Sequence, residues 1–107
     1  MSELVKELGS AEFAGEIASG VSVVDFWAPW CGPCQMQGMV LRELAEEFKD
    51  KVKVMKLNID EAREIAGQYA VQAIPTIIIF ENGRDNSPFI GLQPKRTLLE
   101  GIEKPPR

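Results

Sequence analysis

Cys31 and Cys34 stand three residues apart with Gly32-Pro33 between them, and they are the chain's two cysteines. Oxidising such a pair closes a tiny loop and restricts the unfolded chain very little, so stapling the fold is not its role. Pro33 suits the first turn of a helix, which places Cys31 at a helix N-terminus. Unpaired N–H groups and the helix dipole there favour an anion, so a thiolate on Cys31 is stabilised and becomes the attacking nucleophile. Cys34, one turn further in and nearer the core, stays protonated until Cys31 is engaged in a mixed disulfide, and then resolves it. The competing readings are a buried inert pair, or half of a zinc or iron–sulfur site shared between two copies. The usual set of four sulfur and nitrogen ligands is not available within one chain that has no histidine. A C-x-x-C pair beside a βαβ pattern reads as a redox dithiol, with no metal and no bound cofactor required.

Asp25 lies among Val23, Val24 and Phe26, six residues before Cys31. An ionised carboxylate is costly in such surroundings and its pKa rises, which suits a proton shuttle, and we read it as a general base for Cys34. The plainer reading is an aspartate capping a loop at a strand end. Lys56, in the middle of the next expected strand, either points at that carboxylate or is a solvated strand lysine. Trp30, in the loop beside Cys31, is either buried like Phe26 and Trp27 or forms a docking surface. Met36, Met39 and Met55 are expected as core filler. Ile74-Pro75-Thr76 by itself is an ordinary strand-start proline.

The elements that must position these residues follow from periodicity. Leu4 to Glu7 reads as a short edge strand, and Ser10 caps a helix through about Ala18 that Gly20 stops. Val21 to Trp27 is β-branched, aromatic and nearly all apolar, as a strand covered on both faces is. The helix opened by Pro33 carries Met36, Met39, Val40, Leu44 and Phe48 at three- and four-residue spacings and ends near Lys49. Val52 to Ile59 is a second central strand, and Glu61 to Tyr69 a short helix with Ile65, Ala66 and Tyr69 inward. Thr76 to Glu81 is a strand, Asn82-Gly83 supplies a hairpin turn, and a return strand ends near Gly91. Lys95 to about Glu103 closes the chain as a helix with Leu98, Leu99 and Ile102 on one face. The order β-α-β-α-β-α-β-β-α implies an α/β fold: a mixed sheet of about five strands with four helices over both faces.

The 107 residues, 45% apolar and 26% charged, suit one compact domain over residues 1–107 that folds alone as a monomer. A net charge of −4 with no basic stripe disfavours nucleic acid and anionic membranes. The N-terminus lacks the pattern of a secretory signal, and no apolar run approaches membrane-spanning length. We expect a cytoplasmic protein, where disulfides are transient and catalytic.

Phe26-Trp27-Ala28-Pro29-Trp30-Cys31-Gly32-Pro33-Cys34, with Asp60, Ile74-Pro75-Thr76, Phe80-Glu81-Asn82-Gly83 and Gly91, closely resembles the thioredoxin family over essentially the whole chain. The resemblance implies a thioredoxin fold and a protein-disulfide reductase, reduced in turn by a thioredoxin reductase. It also implies a cis Pro75 packed against the dithiol, an Ile74 backbone free to pair with an extended client segment, and a docking groove framed by Trp30, Gly32, Pro33, Ile74 and Gly91. Asp25 and Lys56 fall where the family keeps a buried acid and its lysine partner. Three positions depart from the pattern: Gln35 replaces a usual lysine, Met39 a helix-kinking proline, and Leu92 a small residue. Other readings are a disulfide oxidase or isomerase, a glutathione-linked carrier, and a scaffold or holdase that binds through the groove without turnover.

Overall fold

The protein is described here as a computed structural model covering residues 4–103. The chain runs β1 (Val5–Leu8), α1 (Ser10–Ile17), β2 (Val21–Trp27), α2 (Gly32–Phe48), a 3-10 turn, β3 (Val52–Asn58), α3 (Arg63–Gln68), β4 (Thr76–Glu81), β5 (Arg84–Asp85), β6 (Phe89–Ile90) and α4 (Lys95–Glu103). The expected order holds, and the sheet is mixed. It is ordered β1-β3-β2-β4-β5, with β6 also on β4; β1 and β2 run parallel to β3, and β4 runs antiparallel to β2. Asn82 and Gly83 take the turn after β4 with φ of 51° and 86°, the positive values a tight hairpin needs.

Alternation along the central strands sorts their side chains onto two faces. Val24, Phe26, Met55, Leu57, Ile78 and Phe80 meet Phe13 and Ile17 of α1 and Ile65 and Ala66 of α3. Val23, Val52, Val54, Ile77 and Ile79 meet Leu41, Leu44 and Ala45 of α2 and Leu98 of α4. Each such fully buried aliphatic or aromatic side chain contributes about 1.5–3 kcal/mol relative to exposure. By the same alternation, Asp25 and Lys56 share the face covered by α2 and α4.

The structure corrects several expectations. Gly9, not Ser10, is the N-cap of α1, and the Glu12 carboxylate accepts from the Gly9 N–H at 3.1 Å. The Ser10 hydroxyl is left buried with no hydrogen-bond partner among the described residues. The return strand after the turn is split in two around Asn86-Ser87-Pro88, because Pro88 has no N–H to donate to a ladder. Met36 and Met39 are not core filler: both are exposed, while Met55 is fully buried. The face that α2 turns inward is Cys34, Gln37, Leu41, Leu44 and Ala45. Cys34, Gln37, Leu41 and Leu44 recur every three or four residues and set the inward face, so Met36 and Met39 fall outside it.

Candidate active site

β2 is the central strand that delivers the site. It is paired on both sides, by β3 and β4, and ends at Trp27. The chain then turns through Ala28-Pro29-Trp30, with the Cys31 N–H donating to the Ala28 carbonyl at 3.1 Å. α2 starts at once, with Cys31 as N-cap and Pro33 in its first turn. The Cys31 sulfur accepts from the Cys34 N–H at 3.2 Å, the bond of an N-cap to an otherwise unpaired amide. The cysteines are joined by a disulfide, their Cα atoms 5.3 Å apart. Both are buried to nearly the same extent, with relative exposures of 5% for Cys31 and 4% for Cys34. Bonding both sulfurs brings them to one depth, so position at the helix end distinguishes them, and burial does not.

Asp25 is 1% exposed, and among the described residues no group hydrogen-bonds its Oδ1. Burial pushes its carboxyl from the ordinary 3.8 up to about 7, and the charge of Lys56 opposes part of that rise. Asp25 and Lys56 are register partners on β2 and β3. The lysine forms no ion pair with the carboxylate; its Nζ stands 4.6 Å from the centroid of the Trp27 ring. It is half-buried, neither fully solvated nor docked on Asp25.

The surface beside the dithiol is apolar. Trp30 is 69% exposed, and its indole N–H donates to Asp60 Oδ2 at 2.9 Å. The Asn58 side chain in turn accepts from the Asp60 N–H at 2.9 Å, so the indole is oriented by the end of β3. Gly32 and Pro33 are exposed. The Ile74–Pro75 bond is cis, and Pro75 is buried. Among the described residues no hydrogen bond engages the Ile74 amide or carbonyl, leaving both open to a strand-like partner. Gly91, with φ of 89°, donates its N–H to the Pro75 carbonyl at 2.8 Å. Ile90 and Leu92 flank it, exposed. The departures at Gln35, Met39 and Leu92 all lie at the surface, and Met39 and Leu92 add apolar area there.

A model of the thioredoxin family matches residues 4–104. The chain belongs to the thioredoxin family. A thioredoxin of Staphylococcus aureus strain Mu50 is 42% identical over 100 residues, covering 94% of this chain and 96% of that protein, and thioredoxin of strain MW2 matches equally. A solved chain also superposes with a TM-score of 0.83 at 31% identity, over 92% of this chain and 93% of that one. It comes from a study of the thiol resolving mechanism in yeast mitochondrial 1-Cys peroxiredoxin via glutathione/thioredoxin systems. With its cysteine pair at disulfide distance, this member of the family is a thiol–disulfide oxidoreductase. No helix among the described residues is long and apolar enough to cross a membrane.

Periodicity alone missed Gln37 and Gln93. Gln37 is fully buried and bonded to the backbone of Gln93. The signal available was a lone amide on the helix face that also carries Cys34 and Leu41.

Proposed function

We propose that the protein is a cytoplasmic protein-disulfide reductase, a monomer built on one domain, which a thioredoxin reductase returns to the dithiol form. The observation that carries this reading is a cysteine pair at the N-terminus of α2, bordered by exposed Trp30 and the unpaired Ile74 backbone. Cys31 as thiolate attacks a client disulfide, forming a mixed disulfide and expelling one client sulfur as thiolate. Cys34, deprotonated through Asp25, attacks Cys31, releasing the second client sulfur and leaving Cys31 and Cys34 bonded. Two electrons pass to the client, and no bound cofactor or metal takes part. Asp25 suits the base because its carboxyl titrates at about 7 and so accepts a proton near neutrality. Lys56, held over Trp27, favours the ionised carboxylate and so moderates that titration. Trp30, Gly32, Pro33, Ile74, Pro75 and Gly91 frame the client groove. The test is dithiothreitol-driven reduction of insulin disulfides. Catalysis by the parent and none by Cys31→Ser is expected; a parent that does not catalyse overturns the reading in favour of a binding scaffold.

A further inference from the structure

The groove wall around Gly91 is weakly held by the sheet. β6 is two residues long, and its ladder to β4 consists of Thr76 with Ile90 and Ile77 with Phe89. Beyond it the chain leaves the sheet, and Ile90 and Leu92 turn outward. The ties that hold this segment converge on two glutamines. Gln37 lies on α2 one turn beyond Cys34, and its side chain is fully buried. Its Oε1 accepts from the Gln93 N–H at 2.8 Å, and its Nε2 donates to the Gln93 carbonyl at 3.0 Å. The Gln93 side chain then donates back to the carbonyls of Ile90 and Gly91, at 3.0 and 3.2 Å. Gly91 in turn donates to Pro75. One amide side chain therefore joins the helix bearing both cysteines to the segment that reaches the Pro75 carbonyl.

A buried amide is a poor choice for filling space, since its desolvation must be offset by hydrogen bonds that an aliphatic side chain would not need. What the amide supplies is direction. A donor and an acceptor from one planar group, engaging both backbone atoms of a single residue, fix that residue's orientation as well as its distance. We propose that Gln37 is a positioning residue for client docking, holding the Gly91–Gln93 wall in register with the dithiol. The inference rests on the reading of the groove as the client site. A client pairing with the Ile74 backbone must pass beside Ile90 and Leu92, and a wall free to shift is in the receptive position for only part of the time. Apparent affinity falls by that fraction.

The test measures initial rates of insulin reduction over a range of insulin concentrations, for the parent, Gln37→Leu and Gln93→Ala. In Gln37→Leu both clamp bonds are lost, and KM for insulin rises about five-fold, as for a wall correctly placed about one-fifth of the time, while kcat stays within about two-fold. Gln93→Ala keeps the clamp and loses only the two bonds to Ile90 and Gly91, and its KM rises about two-fold. An unchanged KM in Gln37→Leu, or a fall in kcat at constant KM, overturns the proposal. Should that variant fail to fold, an unchanged KM in Gln93→Ala overturns it as well. A parent inactive toward insulin overturns the reductase reading itself, an outcome distinct from an active parent with unaltered variants.

Discussion

The two faces of the sheet are built from the same strands and differ in chemistry. The face under α1 and α3 is dominated by aliphatic and aromatic side chains, and among the described residues the strands bury no charged group there, only the small hydroxyls of Ser22 and Thr76. Phe13, Tyr69 and Phe80 meet edge to face at centroid distances of 5.5–5.7 Å, with Phe26 beside Tyr69. The face under α2 and α4 holds an aliphatic core, yet admits Asp25, half-buried Lys56 and, on α2, the buried amide of Gln37. The first arrangement is what burial and ring packing favour. The second accepts groups that burial disfavours, and they gather around the helix that carries the dithiol. Stability and reactivity are thus divided between the two sides of one layer, and substitutions on each side should report on different properties.

The largest contrast is expected at Cys34→Ser. Turnover of protein disulfides should be lost altogether, and the mixed disulfide on Cys31 should accumulate as a covalent adduct of protein and client, visible by mass spectrometry. Far-UV circular dichroism should stay that of the parent. An undiminished rate would mean that resolution does not need Cys34.

Phe80→Ala, on the aromatic face, is expected to destabilise by about 3–5 kcal/mol in urea unfolding, the usual cost of truncating a fully buried phenylalanine. Where the variant remains folded, the titration of Asp25 should stay near 7. A displaced Asp25 titration would show that the two faces are not separable.

Asp25→Asn should move both properties, in opposite directions. With its carboxyl raised to about 7, the folded protein holds a proton that the unfolded chain has already released. The stability that Asp25 itself contributes is therefore greatest below about pH 4, falls as pH rises through about 7, and levels off above; the full shift corresponds to at most about 4 kcal/mol. Asparagine carries no such charge, so the variant should be the more stable at pH 8 and should lack the slope between pH 4 and 7, while turning over more slowly. Equal stability of the two at pH 8 would refute the buried acid.

The smallest stability effect is expected at Trp30→Ala. The indole is mostly exposed, so unfolding free energy should change by no more than about 0.5 kcal/mol. KM for insulin should nevertheless rise about three-fold, because an exposed aromatic at the site contributes to docking. A stability loss well beyond that value would mean that the hydrogen bond to Asp60 serves the fold rather than the client.

Much of this division was legible in the residues. The C-x-x-C spacing, the proline between the cysteines, and the nearly all-apolar run of β2 announced a dithiol at a helix start beyond a central strand. Asp25 stood out because it interrupts that run. Less legible was everything that depends on rotation about a helix axis. α2 offers apolar residues around much of its circumference, so period alone did not decide that Met36 and Met39 face solvent while Gln37 faces inward. Nor did it show that Ser10 would be passed over as a cap in favour of a glycine served by Glu12.

The sequence by itself determined which residues carry the redox chemistry and the order of the elements, because both rest on short-range rules: spacing along a helix, alternation along a strand, turn residues between them. The tertiary structure decided which faces meet and which distant residues become neighbours. Asp25 acquires its raised pKa only when β3, β4 and the helices remove it from water. The Gln37–Gln93 clamp joins residues 56 positions apart. Contacts at that separation are set by the packing of whole elements, and no local pattern encodes them.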